Sequence, residues 1–214
     1  MPESPPPLIP ASLPALMARL QDLPAKGRKL VAIAGAPASG KSVLAAALRE
    51  ALRREGRAVE VAPMDGFHLD NALLDQRGLR ARKGAPETFD AQGFVALVRR
   101  LAAGGEVVFP VFDRARDLSV AGAGVVTTAC DMVILEGNYL LFDEDPWADL
   151  ASLWDFSVWL DTPEALTLDR CIRRWLAHDH TPEQARARAE ANDLVNARRI
   201  LGARLPADMT ISDR

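Results

Sequence analysis

Cysteine is scarce: the chain of 214 residues has two, Cys130 and Cys171. Two are too few for a disulfide framework or a four-cysteine zinc site, and they suit a reducing interior where each thiol is a small buried apolar group. Long apolar runs are missing, since none approaches the ~20 residues that a membrane span requires. The N-terminus carries Pro2, Pro5, Pro6, Pro7 and Pro10 and no leading Lys or Arg, so a signal peptide's basic and apolar regions are absent too. Nor is there an excess of one charge. The 26 Lys+Arg against 29 Asp+Glu leave −3, which excludes a globally basic nucleic-acid binder and an acidic tail protein. No internal repeat is visible. What is present is an ordinary globular mixture, 49% hydrophobic and 26% charged, enough for one domain with a real core. The expected setting is cytoplasmic, with neither membrane nor nucleic acid as a partner.

Seven of the fifteen prolines fall in the first 24 residues. Residues 1–24 read as a loose proline-rich arm to about residue 10, then a short amphipathic helix from Ser12 to Leu23 with Leu13, Leu16, Met17, Leu20 and Leu23 on one face. The main domain is expected over 25–214. Leu30 to Ala34 is the pattern of a strand buried on both faces, and further strands are expected at 58–62, 106–112, 131–135, 156–160 and 209–212. Helical stripes cover 40–55, 90–103, 163–177 and 182–201, with a break at His178 to Thr181 before Pro182 restarts the last of them. Such alternation calls for an α/β architecture, a parallel central sheet flanked by helices on both faces. Trp147, Trp154, Trp159 and Trp175 lie in or beside apolar segments and are read as core.

Between the first strand and its helix, Gly35-Ala-Pro-Ala-Ser-Gly40-Lys41-Ser42 matches G-x-x-x-x-G-K-[ST]. Glycines there let successive N–H groups and the helix N-terminus converge on phosphate oxygens. Gly35, Ala36, Ala38, Ser39, Gly40, Lys41, Ser42 and Val43 are the expected nucleotide contacts, with Lys41 on the β- and γ-phosphates and the Ser42 hydroxyl on Mg²⁺. The architecture is then a three-layer P-loop NTPase fold. The second strand ends in Met64-Asp65-Gly66-Phe67-His68, so a carboxylate stands at the strand edge where open parallel sheets bind ligands. Asp65 can accept the proton of an attacking hydroxyl, and Gly66 lets the chain turn aside for a substrate. Glu136 ends a later strand in the same way and suits a Mg²⁺ site. Arg170, Arg173 and Arg174 share a helix face just before the break, a helical lid over about 170–190 that can bring positive charge over a γ-phosphate. His178 and His180 diverge at i, i+2 and have no cysteine partners nearby, so they do not read as a metal site. Arg77, Arg80, Arg82 and Lys83 form a basic loop, solvated or facing phosphate, and Asn192, Asp193 and Asn196 are polar positions at helical spacing that can face either substrate.

The P-loop, Met64 to His68, Lys83-Gly-Ala-Pro-Glu-Thr-Phe-Asp90, Pro110-Val-Phe-Asp113, Leu135-Glu-Gly137 and the arginines of 170–174 stand in an order that resembles the phosphoribulokinase/uridine kinase/pantothenate kinase group of P-loop kinases. The likeness spans roughly residues 31–201 and is greatest to small bacterial proteins that carry a fructose-transport-system kinase label. It implies that Asp65 is the general base. It puts Lys83 near acceptor and phosphates, Asp113 and Arg114 on a substrate-side loop, and Glu136 near metal and substrate. His68 and Asn138 join the acceptor side, and Arg170 becomes a lid arginine reaching the transferring phosphate, with Arg173 and Arg174 as its neighbours. Phe112 stands where tyrosine is common, and Arg114 departs from the residue type of pantothenate kinases, so the acceptor is left open. The expected activity is transfer of the γ-phosphate of ATP, with Mg²⁺, to a hydroxyl of a sugar, nucleoside-like or pantothenate-like metabolite. A homodimer stays open. A nucleotide-binding regulator or ATPase switch is the other class considered; a GTPase is disfavoured because no N-K-x-D follows the loop.

Overall fold

A five-stranded parallel sheet positions everything that follows. The computed structural model describes residues 9–24 and 26–213. In chain order the elements are α1 (Ile9–Gln21), β1 (Lys29–Gly35), α2 (Lys41–Arg54), β2 (Val59–Pro63), α3 (Asn71–Gln76), α4 (Ala91–Ala103), β3 (Val107–Asp113), β4 (Leu118–Val126), β5 (Met132–Gly137), β6 (Phe156–Asp161), α5 (Glu164–Leu176), α6 (Pro182–Arg188), α7 (Leu194–Gly202) and β7 (Met209–Ser212). The sheet runs β2-β5-β1-β6-β7, all parallel.

Strand alternation divides the core. On one face Leu30, Ala32 and Ala34 pack with Phe94, Leu97, Val98 and Trp147. On the other, Val31 and Ile33 meet Leu44, Leu48 and Leu52 of α2, and Leu16 and Leu20 of α1 complete that layer. Leu16 and Leu20 are almost wholly buried, each contributing about 1.5–3 kcal/mol. The N-terminal helix is thus a structural part of the layer that contains α2. It begins at Ile9, inside the expected arm; the rest of that arm lies outside the described residues.

Three expectations change. Strand 106–112 exists as β3, but it is not in the central sheet: it pairs antiparallel with β4, which the sequence did not announce, and the two make a separate ribbon. Leu118-Ser-Val-Ala-Gly-Ala-Gly-Val-Val126 is rich in glycine and alanine and exposes Ala121, Gly122 and Ala123 in succession, so neither apolar periodicity nor a buried run marks it. The last helix is not uniform, because Ala189–Asp193 forms a π-turn between α6 and α7. Trp147 and Trp159 are core, whereas Trp154 and Trp175 are half-buried and Trp175 lies on the helix carrying the arginines. Both cysteines are free and buried, and among the described residues no helix is long and apolar enough to cross a membrane.

Candidate active site

The C-terminal ends of β2, β5 and β1 lie side by side, with Glu136 of β5 in register with Pro63 of β2 and Ile33 of β1. This places the acids that end β2 and β5 beside the loop that ends β1. In that loop a Cβ on Gly35 would come within 2.7 Å of Ser39 Oγ and 3.0 Å of the Leu160 carbonyl. Ala38 and Gly40 take positive φ, 57° and 92°, the turned backbone that gathers N–H groups into an anion cradle. Gly40 caps α2 without a side-chain hydrogen bond and the first turn holds no acid, so its N–H groups and dipole are left for an anionic ligand.

Lys41 is buried, and its Nζ donates to the Ala36 carbonyl at 2.7 Å and approaches Ser39 Oγ at 3.4 Å. Burial lowers its pKa to about 8, against the opposing pull of Glu136 and Asp65. Ser42 Oγ donates to Glu136 Oε1 at 3.1 Å. The Glu136 carboxyl is pushed up, chiefly by burial and then by the charge of Asp65, with Lys41 and the Ser42 hydrogen bond opposing. A hydroxyl and a carboxylate this close are hard oxygen donors that fit a Mg²⁺ shared with phosphates.

Asp65 stands on a single 3₁₀ turn, Met64–Phe67, directly after β2. Two glycines allow that turn to sit where it does. A Cβ on Gly66 would lie 2.1 Å from the Pro110 carbonyl, and one on Gly137 would lie 2.5 Å from Met64 Cβ. The helix cap at Asn71 is supplied by Asp70, not Asp65, so Asp65 is not committed to backbone capping there. Its Oδ2 instead accepts from Arg114 Nη2 at 2.5 Å.

His68 is packed between Phe89 and Phe112, ring centroids 4.0 and 4.7 Å away. Burial lowers its pKa, which favours the neutral ring. Its Nδ1 lies 2.8 Å from the Asp65 carbonyl; a carbonyl only accepts, so Nδ1 carries the proton and Nε2 keeps a lone pair. Lys83 is tied down elsewhere: its Nζ donates to Asn71 Oδ1, the Asp117 carbonyl and Asp117 Oδ1 at 2.7, 3.0 and 2.8 Å, and it lies over the Phe112 ring. It clamps the β3–β4 turn to α3. Asp113 accepts from the Arg116 N–H at 3.0 Å inside that turn, and Asn138 is half-buried just after β5.

On α5, Arg170 pairs with Asp213 beyond β7 and Arg173 with Asp169 at 3.0 Å. Arg174 donates to Asp193 Oδ1 at 2.8 Å, and the Trp175 Nε1–H takes the other oxygen at 2.6 Å. Asn192 donates to the Lys83 carbonyl at 2.9 Å. The structure therefore brings together the P-loop, Asp65, Glu136, His68 and Arg114, with Arg174 close enough for Lys41 to feel its charge. It holds Lys83 and Arg170 on carboxylates of their own. Asn71 and Asp117 had drawn no notice in the sequence, since a clamp between distant loops leaves no local pattern.

Comparison with known proteins accords with this geometry. A sequence profile of the Phosphoribulokinase / Uridine kinase family matches residues 30–181. The chain is 35% identical over 188 residues to the uncharacterized protein YggC of Escherichia coli K12, covering 87% of this chain and 78% of that one. With the pantothenate kinase of Leifsonia xyli it shares 36% over 183 residues, covering 76% of this chain but 57% of the longer enzyme. Among solved structures, the "putative fructose transport system kinase" of Silicibacter sp. TM1040 superimposes with a TM-score of 0.88 at 51% identity, covering 95% of this chain and 98% of that one.

Proposed function

From the premise that this chain belongs to the phosphoribulokinase/uridine kinase family, and so is an ATP-dependent kinase of a small metabolite, we propose that it moves the γ-phosphate of ATP onto a hydroxyl held at Asp65. The observation that carries this reading is the placement of Asp65 and Glu136 at the ends of adjacent parallel strands, with Lys41 close enough to feel both charges. A base, a metal-side acid and a phosphate-side cation at one sheet edge are the parts that phosphoryl transfer requires.

The triphosphate enters the turned backbone from Gly35 to Ser42, and its charge restores to Lys41 the compensation that burial denies it in the free protein. Ser42 and Glu136 would hold Mg²⁺, which when bound offsets negative charge on the β- and γ-phosphates. The acceptor lies under the β3–β4 ribbon. Its reacting hydroxyl gives its proton to Asp65 as its oxygen bonds to the γ-phosphorus, and the bond from that phosphorus to the bridging oxygen breaks to release ADP. His68 offers Nε2 to a second hydroxyl, which suits a polyol, and Phe89 and Phe112 hold the imidazole in place. Arg114, released from Asp65 by the incoming hydroxyl, is free to face the acceptor. Lid arginines supply positive charge as water is excluded.

The test is a screen of sugars, nucleosides and pantothenate-like alcohols with Mg·ATP, reading ADP release and the phosphorylated product by mass spectrometry. Stimulation of ADP release by one acceptor, with matching product, is expected. ATP hydrolysis indifferent to every acceptor would contradict the reading and point to a nucleotide switch.

A further inference from the structure

Five arginines lie on α5 and α6, and four of them have a carboxylate. Arg170 pairs with Asp213, Arg173 with Asp169, Arg174 with Asp193 and Arg186 with Glu190. Arg188, the last residue of α6, has none among the described residues. Its guanidinium rests over the Trp175 indole, 4.2 Å from the ring centroid, and its Nε is buried without a hydrogen-bond partner. Asp193 makes no ion pair with it; its two oxygens accept from Arg174 and from the Trp175 N–H.

The cluster of Arg174, Arg188 and Asp193 thus holds two cations against one anion, and Arg174 Nε is likewise buried and unpartnered. Arg188 is also within electrostatic reach of groups from both sides of the site. The charges it feels are Asp193 and Arg174 on the lid, and Asp117 and Arg80 beside the acceptor loop, while Arg174 is felt by Lys41 of the P-loop. Directly after it comes the π-turn Ala189–Asp193, the kind of helix irregularity that recurs at functional sites. That turn buries Asn192 and Asp193, fixing α6 to the Lys83 carbonyl on one side and to Arg174 on the other. An indole face is a weaker partner for a guanidinium than a phosphate, which can take two charge-assisted hydrogen bonds at once.

We propose that Arg188 is a further catalytic residue of this kinase, stored on Trp175 in the free protein and passed to the oxygens of the γ-phosphate when ATP is bound. The inference rests on the kinase reading above. It assigns the mobile charge of the lid to Arg188 in preference to Arg170, whose carboxylate partner would first have to be given up.

The test is titration of the full chain with Mg²⁺ and either ADP or the non-hydrolysable β,γ-imido analogue of ATP, for wild type, Arg188→Gln and Arg188→Lys. Loss of a charged contact made only to the γ-phosphate predicts that Arg188→Gln weakens the analogue by ~10–100-fold while ADP stays within about twofold, with Arg188→Lys recovering part of the loss. Analogue binding is also expected to change the emission of Trp175 as the cation leaves its face, a signal that Trp175→Phe removes. Equal losses for both nucleotides in Arg188→Gln, or no loss for either, would overturn the assignment while leaving the kinase reading intact. Wild-type protein that binds neither nucleotide would overturn the kinase reading itself.

Discussion

Ser42 Oγ donates to Oε1 of Glu136 across 3.1 Å, joining the first turn of α2 to the end of β5. The two residues are far apart in sequence, and the parallel pairing of β1 with β5 makes them neighbours. Asp65 reaches the same edge from the other side of β5. The proposed kinase centre therefore draws on three strand ends and does not depend on any long loop for their placement.

Glu136→Gln keeps the shape of that contact and removes the charge. Because Glu136 is buried and its carboxyl is already pushed up, the fold is expected to tolerate the amide. The Mg²⁺ concentration giving half-maximal turnover should rise about tenfold or more, since one anionic oxygen donor is lost. A Mg²⁺ titration of ADP release checks this, and an unchanged half-point would remove Glu136 from the metal side of the site.

Lys41→Met should show its effect on stability through pH. The buried lysine has a pKa of about 8 when folded against 10.5 for the free side chain. Below about 8 both states hold the proton and the wild type bears the whole cost of a buried ammonium. Between 8 and 10.5 the unfolded chain binds more protons, so the stability contributed at Lys41 rises with pH. The variant is expected to be the more stable protein at neutral pH, with an advantage that shrinks as the pH is raised toward 10. Urea unfolding of both proteins across that range measures the difference, and other titrations common to the two cancel. The variant should also lose ATP binding, because no cation remains for the β- and γ-phosphates.

The sheet, the P-loop and both strand-end acids were legible in sequence because each is local. A buried run followed by glycines and a helix stripe says where β1 ends, and an acid after a buried strand says which edge it occupies. What pairs with what was not legible. Arg114 on Asp65 and Lys83 on Asp117 span dozens of residues and depend on the β3–β4 ribbon, whose second strand has alanine and glycine through its middle and no recognisable period. The π-turn was hidden for a related reason: Ala189 to Asp193 has ordinary helix residues, and only the packing of Asn192 and Asp193 against Lys83 and Arg174 shows the extra residue in the turn.

Arg114→Ala should separate the two substrates. Arg114 is well exposed, although Asp65, on the turn after β2, is largely covered, so removing Arg114 is expected to cost about 1 kcal/mol of stability. The KM of the acceptor found by the metabolite screen should rise about tenfold, with nucleotide affinity within about twofold. Equal weakening of both would place Arg114 on the nucleotide and remove it from the acceptor side.

Asp65→Asn bears on the central claim most directly. The amide keeps the size of the side chain and its place on the turn after β2, but it cannot take a proton. Single-turnover transfer from Mg·ATP to the identified acceptor should fall by ~10²–10⁴-fold, while nucleotide affinity stays within about twofold of wild type. A variant that transfers phosphate at a rate near that of the wild type would contradict the assignment of Asp65 as the base.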